Sequence, residues 1–332
     1  MHRPRIARLP VESFFLMDFG PAAFSGLTDP DRARALFRRN VQRVEVETHS
    51  YCNRRCGYCP NAAGDRLGPN VRMAKALYAR IVGDLASIGF SGALVLSHYN
   101  EPLADRSIVA RIAQARAALP GAQILIYTNG DYLTPALVDD LAQAGLSYMH
   151  LSIHMRPDDI YSDLYAIDRI SEICARIGRP VKMKAVRGGE FMTGRIPHGS
   201  IDIEIRALNY WKTGQDRGGL IAGMDRPANR TAPCFFPFAH FYVGYTGDVV
   251  PCCHLRGDTP AHAPYVTAKV QADAPIFLAY ASEAAARWRR SMTGRKLRAA
   301  PCATCTAGAP QAGSPLEAAM IAAEPREMLT GA

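Results

Sequence analysis

Short alternating runs along this chain are followed by longer stretches with a helical period. Residues 43–48 read RVEVET, apolar and polar side chains taking turns at the two-residue period of a strand. Residues 73–88 place apolar side chains three and four apart and predict a helix. The unit repeats. Further strands are predicted over 93–97, 124–127, 148–153, 181–186 and 201–206. Further helices are predicted over 105–118, 134–144 and 164–177, with Thr134 placed to cap its own. Repeated strand–helix units predict parallel strands with right-handed crossovers. Six units in about 180 residues fit an α/β fold with a partial (β/α)6 TIM-like barrel better than a full eightfold one. An open, doubly wound sheet is the other arrangement the pattern allows. No GxGxxG follows the first strand, which argues against a dinucleotide fold.

From about Ala232 the texture changes, and aromatics, glycines and cysteines cluster through Asp258. A helical stretch over 281–292 leads into PCATC. Four regions are expected: an N-terminal extension over 1–40, the barrel over 41–230, a small cysteine-dependent domain over 231–310, and a tail over 311–332 without chemistry. The aromatic run Phe14, Phe15, Leu16 is expected to pack on the barrel.

The apolar content of 48% in 332 residues is ample for a core. Lys and Arg number 39 against 30 Asp and Glu, a formal charge of +9, so nucleic acid is considered as a partner. No basic-aromatic tract or helix-turn-helix signature supports it. Pairs such as Arg289-Arg290 and Arg295-Lys296 read as solvated surface, and no nucleic-acid partner is expected. The positive field suits a phosphorylated substrate or an acidic electron donor. No run of 18 apolar residues is present, so no membrane span is expected. The opening residues lack the apolar core and cleavage site of a secretory leader. A cytoplasmic, reducing setting follows as the expectation, with thiols rather than disulfides.

Nine cysteines then change the picture. Cys52, Cys56 and Cys59 follow the first strand in CNRRCGYC. Cys234, Cys252, Cys302 and Cys305 fall in the last third of the chain. Three thiolates leave one iron of a [4Fe–4S] cluster without a protein ligand, whereas four close a cluster. Zinc is the alternative at each set, completed by His49 or His98 at the first. Cys174, within a helix, reads as an apolar residue, and Cys253 is left over.

The C-x3-C-x2-C spacing, with Tyr58 before the third cysteine, resembles the radical S-adenosylmethionine (SAM) superfamily. The resemblance implies that SAM chelates the open iron and is cleaved to a 5′-deoxyadenosyl radical that abstracts hydrogen from carbon. It implies that HYNEPL, residues 98–103, matches the family's GGE-type motif, with Glu101 holding the SAM amino group and Asn100 replacing a glycine. Asn129 in YTNG then either contacts cofactor or substrate or shapes its turn. Ser152 and His154, and Lys184 in the predicted fifth strand, become contacts to the SAM ribose or carboxylate. Cys234, Gly247 and Cys252 resemble the opening of the SPASM and twitch auxiliary domains. With only Cys302 and Cys305 following, the shorter twitch form is implied, holding a second [4Fe–4S] cluster. Gly247 is expected to turn a hairpin.

Residues 43–307 are similar to the twitch-domain dehydrogenases that act on aminocyclitols. The similarity is carried by CNRRCGYCPN, by IYTNGDYLT at 126–134, by RGG at 217–219, and by the spacing from Arg217 to Cys234 to Cys252. It implies oxidation of an alcohol on a small, polar, hydroxylated substrate, with Arg217 at the substrate oxygen and a flavodoxin- or ferredoxin-type donor. Arg217 is too weak an acid to serve as a base, which leaves water, His240 or His254 for the proton. A redox-neutral epimerase, with Cys253 as hydrogen-atom donor, is the competing expectation. Peptide modification is a third, disfavoured because about forty residues before the barrel are too few for a leader-binding domain.

Overall fold

The computed structural model describes residues 17–64, 66, 68–156, 160–224 and 227–324. Phe14, Phe15 and Leu16 lie outside them, as do residues 325–332 of the expected tail. Two compact units are formed. Of the described residues, one comprises those up to Val44, those in Gln215–Val243 and those from Gly247 onward; the other comprises those in Glu45–Gly214 with Gly244–Thr246.

Helix α1 (Pro30–Asn40) lies in the region expected to be a lead-in. The Asp29 side chain accepts from the amides of Asp31 and Arg32, and proline opens the first turn. Its buried face holds Ala33, Leu36 and Phe37. The Phe37 ring meets Phe241, Phe277 and Tyr280 edge-on, with centroids 5.2–5.4 Å away.

Strand β1 (Arg43–Val46) falls at the division between the units. The second unit continues through α2 (Lys75–Ser87), β2 (Ala93–Val95), α3 (Ile108–Ala118), β3 (Gln123–Thr128), α4 (Pro135–Gln143), β4 (Tyr148–Ile153) and α5 (Asp163–Ile177). It ends with β5 (Lys182–Arg187), β6 (Phe191–Ile196), β7 (Asp202–Leu208) and the short α6 (Tyr210–Thr213). The strand order is β1-β2-β3-β4-β7-β6-β5. Strands β2, β3, β4 and β7 run parallel, giving the partial barrel-like sheet. Leu94, Val95, Ile124, Ile126, Met149, Leu151 and Ile205 are wholly buried, as expected for strands covered on both faces. Thr134 caps α4 by accepting from the Leu137 amide.

The predicted fifth parallel strand is a correction. Strand β5 pairs antiparallel with β6, and β6 pairs antiparallel with β7. A parallel return needs a crossover of about a dozen residues. Only residues 188–190 separate β5 from β6, with Gly189 at φ +70°, so a hairpin is the available connection. The place beside β4 goes to β7, and β5 is left exposed along its length.

The first unit is completed by α7 (Phe236–Ala239), β8 (His240–Val243), β9 (Asp248–Val250), β10 (Ala268–Lys269), α8 (Ile276–Tyr280), α9 (Glu283–Ser291) and α10 (Pro315–Ala322). Strands β8, β9 and β10 form an antiparallel meander. Gly247 adopts φ +91° at the predicted hairpin turn. Arg289, expected on the solvated surface, is buried. Helical spacing puts it on the same face as Ala285 and Ala286. Its guanidinium donates to the carbonyls of Ala23 and Tyr280 and lies 4.7 Å from the Tyr280 ring centroid. Among the described residues no helix is long and apolar enough to cross a membrane.

Candidate active site

The loop after β1 carries Cys52, Cys56 and Cys59, all free thiols. The Cys59 amide donates to the Cys56 carbonyl at 2.8 Å, and Cys59 leads into a 3-10 turn begun by Pro60. Burial, together with the other two thiols, pushes Cys52 up to about 12. Burial likewise pushes Cys56 up to about 12, against the pull of Arg54. Bound iron would relieve the two thiols that burial holds neutral, Cys52 and Cys56, and Cys59 completes the donor set.

The residues between these cysteines are braced. Asp131, just past β3, receives Arg54 through Nε and Nη2, each at 2.7 Å, and Asn53 Nδ2 at 2.7 Å. Arg169 of α5 donates to the same carboxylate, and Arg176 donates to the Asp131 carbonyl at 2.7 Å. Against the opposing effect of burial, these partners hold the Asp131 carboxyl below its ordinary range. Glu47 and Arg66 form a second brace, an ion pair of 2.8 Å with almost no exposure. Arg66 also donates to the Ser50 carbonyl, and its own carbonyl accepts from the Cys52 amide.

Glu101 follows β2 and is buried. Its carboxylate accepts from the Leu103 amide at 3.1 Å, the Thr128 hydroxyl at 2.5 Å and the Asn129 amide at 2.8 Å. Burial outweighs these bonds and raises its pKa to about 7. Asn100, where the motif has glycine, accepts from the His98 amide and donates to Thr48. The Asn129 side chain donates to Asn53 and accepts from the Asp131 amide, so it shapes the turn. His49 has one ring nitrogen 3.1 Å from Asn70 and the other 3.1 Å from the Glu101 carbonyl, so both are committed.

Tyr58 and His154 come together, the Tyr58 hydroxyl lying 3.1 Å from His154 Nδ1. Desolvation and the charge of Arg54 lower the His154 pKa to about 4. The Tyr210 ring stacks on Tyr58 at 4.8 Å, and Trp211 meets it edge-on. The sequence reading missed Tyr210 and Trp211; the available signal was an aromatic pair just after the last predicted strand. Ser152 is half-buried within β4. Lys184 is not brought to this group, because two strands, β7 and β6, stand between β4 and β5.

In the other unit, Cys234 is buried, and its amide donates to the Met292 carbonyl at 3.0 Å. Cys252, Cys302 and Cys305 are half-buried. Cys302 is pushed up to about 12 by burial and then by Cys234 and Cys305. Cys252 is raised by burial and by Cys253, Cys302 and Cys234. Two buried guanidiniums adjoin these thiols. Arg230 donates to the carbonyls of Cys305, Ala307 and Pro233, and Arg298 to those of Ser291, Thr293 and Gly294. Both favour the Cys302 thiolate. At Gly308 a Cβ would stand 2.6 Å from the Cys234 sulfur, so the backbone leaves that thiol its space. Among the described residues no three His, Cys, Asp or Glu side chains meet as they would on a single metal ion. A cubane spreads its thiolates over separate irons, and both thiol sets fit one in donor chemistry and charge.

Arg217 has φ +52°, a left-handed backbone costing about 1 kcal/mol or more for a side chain other than glycine. It is half-buried. Cys253 is half-buried and packs against Tyr242, Val250 and Leu255. Cys174 is half-buried in α5.

Residues 46–182 match the Radical SAM superfamily, and residues 234–306 match the SPASM family of iron–sulfur cluster-binding domains. The chain carries a radical SAM domain followed by a SPASM-type domain. With these two domains come SAM and two [4Fe–4S] clusters as cofactors. Among relatives of this radical SAM protein is the S-adenosyl-L-methionine-dependent 2-deoxy-scyllo-inosamine dehydrogenase of Niallia circulans. It is 25% identical over 63% of this chain and 72% of its own length. The GTP 3′,8-cyclase of Geobacter sulfurreducens is 29% identical over 41% of this chain and 40% of its own. The crystal structure of BtrN in complex with AdoMet and 2-DOIA has a TM-score of 0.55 at 21% identity. That match covers 76% of this chain and 87% of BtrN, and it shows the shared fold.

Proposed function

We propose that this radical SAM protein oxidises a secondary alcohol of a small, hydroxyl-rich ring to a ketone. The observation that carries this reading is the attachment of Arg217's loop to the loop of Cys302 and Cys305, through Asp216 and Thr304. A group suited to a substrate oxygen is thereby tied to the thiols of an electron-accepting cluster. The relative that oxidises 2-deoxy-scyllo-inosamine, by its name, supports the substrate class.

When bound, SAM and its cluster supply a radical that removes hydrogen from carbon, and the auxiliary cluster supplies a one-electron acceptor. Cys52, Cys56 and Cys59 would hold the first cluster, and Cys234, Cys252, Cys302 and Cys305 the second. Glu101 keeps acceptor capacity beyond its three internal bonds and takes the SAM amino group. Tyr58 and Tyr210 offer stacked aromatic faces, and Ser152 and His154 lie at the end of β4. Lys184 is left out for its place in β5. Arg217 orients the substrate oxygen and favours its developing negative charge. His240 is enclosed, with Nδ1 2.6 Å from the Tyr242 hydroxyl, so the hydroxyl proton leaves to His254 or water. The balance is complete: a hydrogen atom leaves carbon, a proton leaves oxygen, and one electron leaves with them. Oxygen-sensitive clusters suit a reducing, cytoplasmic setting and a flavodoxin- or ferredoxin-type donor.

The test uses anaerobically reconstituted protein with SAM, reduced flavodoxin, and 2-deoxy-scyllo-inosamine or related aminocyclitols. One ketone is expected per 5′-deoxyadenosine. Inversion without oxidation, with solvent deuterium on the inverted carbon and loss of that outcome in Cys253→Ala, overturns the dehydrogenase in favour of the epimerase.

A further inference from the structure

The residues on either side of Arg217 are bonded to the auxiliary-cluster loops. Asp216 is buried; its Oδ1 accepts from the Gly218 amide at 3.2 Å, and its Oδ2 accepts from the Thr304 hydroxyl at 2.5 Å. Thr304 stands between Cys302 and Cys305. One residue before Asp216 and two after Thr304, Gln215 and Thr306 exchange two bonds. Gln215 Nε2 donates to the Thr306 hydroxyl at 2.8 Å, and the Thr306 amide donates to Gln215 Oε1 at 3.0 Å. The other face of the turn is closed by Gly218. A Cβ there would lie 3.0 Å from Leu255, 3.0 Å from His262 and 3.2 Å from Pro301. Leu255 follows Cys252 by three residues, and Pro301 precedes Cys302. The Gly218 carbonyl is 3.1 Å from His262 Nε2, whose partner nitrogen Nδ1 accepts from the Arg256 amide. Arg217 keeps its left-handed backbone between these contacts, followed by Gly218 at φ +66° and Gly219 at φ +88°.

We propose that Asp216 and Thr304 are positioning residues that couple the auxiliary-cluster loop to Arg217, so that the substrate-orienting guanidinium is in place only when Cys302 and Cys305 are held by their cluster. The physical reason is direct. Thr304 lies between Cys302 and Cys305, so it keeps its short bond to Asp216 only while the PCATC turn is fixed, and ligation of the two flanking cysteines would fix that turn. An uncommon backbone conformation persists where surrounding contacts determine it, and here they come from the ligand loops. The consequence is an interlock: without an electron acceptor, substrate is poorly oriented and hydrogen abstraction is not wasted. The inference rests on the reading of Arg217 as the substrate-orienting residue.

The experiment compares Thr304→Val, Thr304→Ser and Cys302→Ala/Cys305→Ala with the parent, all reconstituted anaerobically. Hydrogen–deuterium exchange of the peptide spanning 215–219 is measured first, because it needs no substrate. Exchange is expected to rise about tenfold in Thr304→Val at unchanged iron content, to rise at least as far in the double cysteine variant, and to return to the parent rate in Thr304→Ser. Turnover of 2-deoxy-scyllo-inosamine is then expected to show a raised KM in Thr304→Val, with Thr304→Ser restoring it. Exchange in Thr304→Val equal to the parent overturns the coupling. If Thr304→Val loses iron, Gln215→Ala is the second variant, and parent-like exchange there overturns it equally. Arg217→Ala with unchanged turnover would instead sink the catalytic reading of Arg217 while leaving the exchange result standing.

Discussion

Asp131→Asn isolates the brace on the first cysteine loop. The carboxylate neutralises Arg54 and Arg169 together, with side-chain exposures of 18% and 13% against its own 19%. The substitution keeps the shape, removes the charge, and turns an amide donor toward guanidinium donors. A hydrogen bond to a charged group contributes about 1.5–3 kcal/mol, and breaking a fully buried pair costs about 3–5 kcal/mol. Partial exposure discounts the second figure, so about 2 kcal/mol is expected, concentrated in residues 52–59. That corresponds to about a 30-fold gain in loop opening. Because the folded carboxyl lies below its ordinary value of 3.8, the contribution is present at all pH above that value and is lost only as pH falls through the lower folded value. The difference between variant and parent is therefore expected to be flat from about pH 6 to 8. The assay is bleaching of the reconstituted protein by an iron chelator. One of its two phases, that of the first cluster, is expected to accelerate about 30-fold while the auxiliary phase is unchanged. Bleaching at the parent rate in both phases would refute the brace.

Glu101→Gln is expected to weaken SAM binding about tenfold with both clusters assembled. Parent affinity should fall as pH drops below the raised value of about 7, and the variant's profile should be flat. The sign also reads in stability: burial raises this carboxyl, so the parent loses stability as pH rises from 4.5 to about 7, and Glu101→Gln removes that slope. Titration calorimetry across this range, giving parallel profiles for the two proteins, counts against the role. Phe37→Ala removes a wholly buried ring with three edge-on partners and is expected to cost about 3–5 kcal/mol by denaturant unfolding. A loss below about 1 kcal/mol would show that the aromatic cluster is not a core.

The sequence made the local devices legible. Thr134 caps a helix, Gly247 turns a hairpin, and the cysteine spacings announce their chemistry without tertiary information. What escaped was fixed by partners far along the chain. The period of residues 181–186 reads as a strand, but whether it joins a parallel series depends on the three-residue connection after it. The glycine pair at 188–189 was the signal. Arg289 reads as surface until the carbonyls of Ala23 and Tyr280 are found beside it. Asn53 and Arg54 look like spacers between cysteines, and only the fold reveals Asp131, 77 residues on from Arg54, as their common partner. Lys184 was placed by analogy with a strand position that the chain does not build.

The auxiliary unit raises a question of charge that its cluster answers. Arg230 and Arg298 are 8% and 3% exposed, and their hydrogen bonds run to main-chain carbonyls, which satisfy donors without cancelling charge. A buried guanidinium with too little anionic charge beside it is costly, and for this pair the acting carboxylate is Glu324, on Arg298. Neutral thiols would not offset it, and burial drives Cys234, Cys252 and Cys302 toward the neutral form. An oxidised [4Fe–4S] core with four thiolates carries a net charge of about −2 and would offset both arginines. Ordering of the ligand loops is then coupled to iron binding, as in small metal-dependent modules. The same two charges would favour the more reduced form of a cluster held by these thiols. That bias is the one an alcohol oxidation needs and a redox-neutral inversion does not. The electrostatics of residues 230–305 therefore weigh on the side of Arg217 and ketone formation, and against Cys253, whose thiol packs with Tyr242, Val250 and Leu255.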